Sequence, residues 1–147
     1  MKQLSLWWIR RDLRLSDNQA LQASLAGGGF VVPLFILDPA LLSSVSVAER
    51  RKAFLFASLR SLDAALRQRG SALVVRQGAP LDVLTSLMQE ISAHRIYAER
   101  DFSPFARNRD RLVSQRLPLV LVDGLTVHPP GIILKADGSP YTIFTPY

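Results

Sequence analysis

The chain has 147 residues, 48% of them hydrophobic, and no cysteine. That is enough chain to bury the core of one domain, and it excludes general disorder, a disulfide framework, thiolate metal sites and a cysteine nucleophile. A net charge of +6 draws polyanions, but the arginines are spread over the whole chain, with no lysine-rich tail and no aromatic-interleaved patch.

No apolar run approaches the roughly 20 residues of a membrane span. The amino terminus lacks the layout of a signal peptide. A cytoplasmic protein with no membrane partner is therefore expected. His94 and His128 read as two unrelated histidines rather than as metal ligands.

Leu4–Ile9 is a continuous apolar run containing Trp7 and Trp8. Its lack of alternation predicts a strand covered on both faces, with both tryptophans in the core. It runs directly into Arg10, Arg11, Asp12 and Arg14. Charges at the end of a buried strand are costly unless they face a ligand or one another. Asp12 and Arg14 read as ion pairs holding the strand-to-helix turn. Arg11 reads equally well as a member of that network or as a ligand contact. Ser16 and Gln19 fit a capping box, and Asp17 suits a positive helix end. The helix stops at Gly27, Gly28 and Gly29. That triplet does not follow a first strand, so it is no dinucleotide fingerprint.

Phe30–Leu37 is the second strand, ended by Asp38 and Pro39. Pro33 removes one ladder donor and predicts a sheet edge or a bulge. Ser46 and Glu49 fit a second capping box, which opens the longest helix, to about Arg69. Its buried stripe is Leu55, Leu59, Leu62 and Leu66. Phe54, Leu55 and Phe56 read as core, with Leu55 also carried as a candidate pocket wall. Gly70 ends the helix. A third strand is expected over 71–77. Pro80 then opens a helix whose stripe is Leu84, Leu87, Met88 and Ile91. Arg95–Glu99 is the fourth strand and ends in Arg100 and Asp101. Ser103 as N-cap with Pro104 at the first helical position opens another helix, which carries Arg107, Arg109, Asp110 and Arg111. Leu119–Val122 is the fifth strand.

Strands alternating with helices predict an α/β fold: a Rossmann-like five-stranded parallel sheet with helices on both faces and right-handed crossovers. The charged strand ends then share one side of the molecule, where open α/β sheets bind ligands. This domain is expected over 1–125. From 126 the texture turns to loop and turn residues, and 126–147 reads as the start of an interdomain linker.

Four stretches together resemble one family. The run Trp8-Ile9-Arg10-Arg11-Asp12-Leu13-Arg14-Leu15-Ser16-Asp17-Asn18 is similar to the opening signature of DNA photolyases and cryptochromes. The run Leu34-Phe35-Ile36-Leu37-Asp38-Pro39 resembles their second strand. Pro104 with Arg107, Asn108, Arg109 and Asp110 resembles the start of a helix on their antenna side. The run from Gly138 to Tyr147 resembles the segment that closes their amino-terminal domain. The four occur in order and with family-like spacing.

The resemblance implies the amino-terminal, light-harvesting domain of a deoxyribodipyrimidine photolyase. In such a protein a larger helical domain holds FAD and the damaged DNA, and uses light to split cyclobutane pyrimidine dimers. That helical domain is the implied partner, and DNA is reached through it. Alone, this chain is expected to be non-catalytic. The implied ligand is an antenna chromophore. Folate-type members carry an acidic residue where this chain has Phe105 and Ala106. Deazaflavin-type members carry elements matching Asp101-Phe102-Ser103-Pro104 and Leu37-Asp38-Pro39. An 8-hydroxy-deazaflavin is therefore favoured, followed by FMN and then folate. Phe35 and the backbone of Ile36, Leu37 and Asp38 would supply walls and amides. Asp38 and Asp101 would accept hydrogen bonds. Arg11, Arg51 and Arg109 would face a phenolate-like oxygen or a phosphate. The alternatives are the same domain of a cryptochrome photoreceptor, or a stand-alone nucleotide-binding α/β module.

Overall fold

The computed structural model describes residues 3–42, 49–124, 126, 128 and 131–142. Five strands and five helices follow along them, α2 and α3 in succession: β1 Leu4–Ile9, α1 Gln19–Leu25, β2 Phe30–Leu37, α2 Pro39–Leu42, α3 Glu49–Arg67, β3 Val74–Gln77, α4 Pro80–Glu90, β4 Arg95–Glu99, α5 Pro104–Ser114 and β5 Leu119–Val122. The strands form one sheet in the order β3-β2-β1-β4-β5. Every pairing is parallel. This is the expected Rossmann-like α/β sheet.

Alternation along the central strand separates two cores. Leu6 and Trp8 of β1 join Leu34, Ile36, Ile96 and Ala98 beneath Leu84 and Leu87 of α4 and Val113 of α5. Trp7 and Ile9 point the other way, with Phe35, onto Ala20 of α1 and Leu59, Leu62 and Leu66 of α3. A strand covered on both faces needs apolar residues at every position, which is why Leu4–Ile9 shows no polar alternation.

Four local expectations are revised. Ser16 does not cap α1. Asn18 does, its Oδ1 accepting from the Leu21 N–H at 2.9 Å. The chain turns just before it through Asp17, at φ 51°, where Arg14 donates to the Asp17 carbonyl at 3.0 Å. Second, β2 is an interior strand. Pro33 pairs opposite Trp7 of β1, but the pairing with β3 begins only at Leu34, so the absent N–H removes no bond to β3. Third, β3 is shorter than 71–77, because the Leu73 N–H donates to Asp63 Oδ1 at 2.9 Å and ties the strand approach to α3. Fourth, α2 was not expected. It starts because Asp38 Oδ1 accepts from the Ala40 N–H at 2.9 Å and the Asp38 carbonyl accepts from Leu41 and Leu42. Ser46 of the second expected capping box lies outside the described residues.

The start of α5 is as read from sequence: Ser103 Oγ accepts from the Ala106 N–H at 3.3 Å, and Pro104 takes the first turn. Among the described residues no helix is long and apolar enough to cross a membrane.

Candidate functional site

The carboxyl ends of β1, β2 and β4 lie together, and the charges that follow them are mostly paired. Arg10 Nη1 meets Asp110 Oδ1 of α5 at 2.5 Å. Its Nη2 donates to the Glu99 carbonyl at the end of β4. Arg109 Nε reaches the same Asp110 oxygen at 3.0 Å. Both guanidinium groups lie over the Trp8 indole, at 4.8 and 5.0 Å from its centroid, a cation–π arrangement on either side of one carboxylate. Burial pushes the Arg10 guanidinium down from its ordinary pKa, and the neighbouring Arg109 adds to that, while Asp110 opposes both.

Asp101 follows β4 and is held in place locally. Its Oδ1 accepts from the Ser103 N–H at 3.0 Å, and its Oδ2 lies 3.4 Å from Arg11 Nη1. Burial pushes its pKa up. The hydrogen bonds from the Ser103 backbone and side chain, with Arg11, outweigh that and hold the carboxyl below the usual carboxylate range. The Arg11 side chain is 66% exposed, so this pair is largely solvated.

Beside these groups opens a cavity of about 300 Å³. Its apolar walls are Trp8, Ile9, Phe35, Ile36, Leu41, Pro80, Phe105 and Ala106; its polar groups are Arg10, Arg11, Asp38, Asp101, Ser103 and Arg109. This is the mixture of apolar wall and sparse polar contacts that suits a planar organic ligand. One atom is informative: Arg109 Nη2 is buried and meets no hydrogen-bond acceptor among the described residues. A buried guanidinium N–H without an acceptor is costly. A second cavity, about 10 Å³, lies between the ends of β1 and β4, large enough for about one water.

The structure brings six expected site residues to the larger cavity: Arg11, Phe35, Ile36, Asp38, Asp101 and Arg109. Leu37 and Leu55 pack into the α1–α3 core and do not line the cavity. Arg51 is exposed on α3 and does not line the cavity. Sequence reasoning missed Trp8, Leu41 and Phe105 as walls. Trp8 had been assigned wholly to the core, where most of its surface does lie. Phe105 was visible in principle: the Ser103-Pro104 helix start places it in the first turn of α5, next to the Asp101 strand end. Leu41 depends on α2, whose only signal was Asp38 as a cap.

A family model described as DNA photolyase matches residues 5–147. A deoxyribodipyrimidine photo-lyase of Synechococcus is 36% identical over 147 residues, which are 97% of this chain and 30% of that protein. The structure of a bacterial class III photolyase from Agrobacterium tumefaciens superposes with a TM-score of 0.89 at 29% identity, over 99% of this chain and 31% of that one. An archaeal photolyase from Sulfolobus tokodaii, solved with two FAD molecules and discussed as implying a novel light-harvesting cofactor, superposes with a TM-score of 0.82 at 29% identity, over 88% of this chain and 31% of its own. The chain thus spans about a third of the length of each of these three proteins.

Proposed function

We propose, from the premise that this chain belongs to the DNA photolyase family, that it is the chromophore-holding amino-terminal domain of a light-driven DNA-repair protein. Members of the family bind chromophore cofactors. The observation that carries the reading here is a largely apolar cavity of about 300 Å³ at the strand ends, with Trp8, Phe35 and Phe105 as aromatic walls and Arg109 beside them. A planar ring would lie among Trp8, Phe35 and Phe105. A ring oxygen with phenolate character would accept from Arg109, where a planar guanidinium gives directional donors. Asp38 and Asp101 would accept from hydroxyl or ring N–H groups. These residues bind, orient and exclude water; none needs to move a proton.

An 8-hydroxy-deazaflavin is the favoured occupant and FMN the next, with folate third because Phe105 and Ala106 stand where folate-type members have a carboxylate. When bound, the chromophore supplies light absorption and passes excitation to FAD in a helical partner domain, to which residues 126–147 would lead. That domain would hold damaged DNA and perform the dimer splitting.

The test is to express the complete reading frame in a host that makes deazaflavin, denature the purified protein and analyse the released chromophores. A deazaflavin in addition to FAD is expected, close to one per chain. Release of FAD alone would overturn the antenna reading. Illuminating the same protein with dimer-containing DNA separates a repair enzyme from a cryptochrome.

A further inference from the structure

Two carboxyl groups at the ends of β1 and β4 are not used by the chromophore reading. Glu99, the last residue of β4, is only 9% exposed. Neither of its carboxyl oxygens meets a well-formed hydrogen-bond donor among the described residues. Asp12 Oδ2 is buried in the same condition. Arg14 Nε lies 3.1 Å from it, but the N–H is not aimed at the oxygen. The two carboxyls are within hydrogen-bonding reach of each other. Gly124 closes the space above them: a Cβ placed there would stand 2.7 Å from Glu99 Oε1 and 3.1 Å from Gln19 Cγ.

Two carboxylates packed against each other with only Arg14 beside Asp12 and the Gln19 amide beside Glu99 still repel, and a proton or a bound metal cation removes the repulsion. A hard cation needs six or more oxygen ligands at ordinary distances. The cavity here is about 10 Å³, and no group of three or more metal-ligating side chains occurs among the described residues. A proton needs no additional ligand. We propose that Glu99 and Asp12 share one proton, and that this carboxyl–carboxylate pair is a pH-sensitive lock on the strand ends that carry Arg11 and Asp101.

The charges around the pair fix its direction. Burial pushes the Glu99 carboxyl up, the Asp12 charge pushes the same way, and Arg14 opposes; the bond shared with Asp12 adds to the rise, and the Gln19 backbone amide of α1 offsets part of it. Arg10 bonds the Glu99 carbonyl rather than its carboxyl. On the β5 side, Arg100 and Asp123 are occupied with each other at 2.7 Å. A folded-state value raised above the ordinary glutamate value means that the native state holds its proton more tightly than the unfolded chain. The stabilisation is therefore complete in acid below the ordinary glutamate value and is lost as pH climbs through the raised value. Above it, two negative charges meet at a turn faced by Arg14, with Arg10 and Arg11 on the same small cavity, and the strand ends that carry Arg11 and Asp101 are loosened.

The lock does not depend on the identity of the occupant, so its test uses the chain without chromophore. Infrared spectra across a pH series should show a protonated carboxyl stretch that persists above the ordinary glutamate range and vanishes in Glu99→Gln. In Asp12→Asn the midpoint for losing that band should fall, because the like charge beside Glu99 is gone. Melting temperatures of wild type and Glu99→Gln should agree in acid below the ordinary glutamate value and diverge in favour of the variant as pH climbs through the raised value. A band lost within the ordinary glutamate range, or the same midpoint in Asp12→Asn, would overturn the proposal even if Glu99→Gln folds poorly. A rise in melting temperature with magnesium or calcium, seen in wild type and lost in Glu99→Gln, would also overturn it by placing a cation where the proton is assigned.

Discussion

Replacing Asp110 with alanine tests whether the Arg10–Asp110–Arg109 cluster is what fixes the site. The carboxylate is 4% exposed in its side chain and Arg10 is 7% exposed. Removing it leaves two guanidinium groups on one indole with no counter-charge between them. Breaking one partner out of a buried ion pair costs about 3–5 kcal/mol. The Arg10 bond to the Glu99 carbonyl and the stacking of both arginines on Trp8 survive, which favours the lower end. For 147 residues, an unfolding entropy of about 2.1 cal/mol/K per residue gives about 0.3 kcal/mol/K, so the melting temperature should fall by about 10 °C or slightly more. Thermal denaturation followed by circular dichroism measures this directly. Replacing Arg10 with methionine and Asp110 with leucine together should recover much of the loss, since a buried pair exchanged for apolar volume is often neutral. A fall of less than about 3 °C in Asp110→Ala, or a double variant as unstable as the single one, would refute the claim that the buried charge pair is responsible.

Asp101→Ala should lower chromophore affinity by roughly tenfold to a hundredfold, while costing only about 1 kcal/mol of stability, since Arg11 is well exposed and its pairing weak. Equilibrium dialysis against a deazaflavin, alongside a denaturant melt, separates the two effects, and a stability loss above about 3 kcal/mol would make Asp101 a structural residue instead. Gly29→Ala should be more damaging than its exposed neighbourhood implies, because the added Cβ would stand 1.9 Å from the backbone oxygen of Gln3. That oxygen accepts from the Phe30 N–H at 2.9 Å, so relief of the clash must part the starts of β1 and β2, at about 2–3 kcal/mol; urea denaturation within about 0.5 kcal/mol of wild type would contradict it.

Where a strand is bounded by charges or turn residues, its limits were readable. Leu4–Ile9 runs into Arg10, and Arg95–Glu99 runs into Arg100; both strands have those bounds. Where the boundary depends on a distant side chain, it was not. Asp63 takes the Leu73 N–H out of the third strand, a contact that no local pattern announces. The capping of α1 shows a subtler limit. Ser16 and Asn18 are both good caps, and the choice fell to Asn18 because Arg14 binds the Asp17 carbonyl and folds the chain back one turn later. The site divides in the same way. Arg11, Asp38 and Asp101 were legible because charges at parallel strand ends must share one side. The partner of Arg10 was not, because Asp110 is set 100 residues away by the packing of α5. Leu37 and Leu55 were expected at the cavity from their neighbours in sequence, yet the packing of β2 on α3 takes both into one core with Leu59, Leu62 and Leu66.

The sheet order bears on the nucleotide-binding alternative. In β3-β2-β1-β4-β5 the chain grows outward from β1 in one direction and then returns to place β4 on its other side. Such a reversal opens a crevice between β1 and β4, the usual ligand position in open α/β sheets. Here the chain fills that crevice with its own groups. Arg10 crosses to the Glu99 carbonyl and to Asp110, and Glu99 lies against Asp12, leaving about 10 Å³. The amide of Leu21, which a phosphate would compete for at the start of α1, is already taken by Asn18. The glycines that might have cradled a phosphate sit at the other end of that helix. The usable space is displaced toward the end of β2, where Phe35, Ile36 and Asp38 meet the first turns of α2 and α5. A cavity there has aromatic and aliphatic walls and an unsatisfied guanidinium N–H instead of a bed of backbone amides. The crevice that a nucleotide would take at the reversal of strand order is thus occupied by the chain's own side chains.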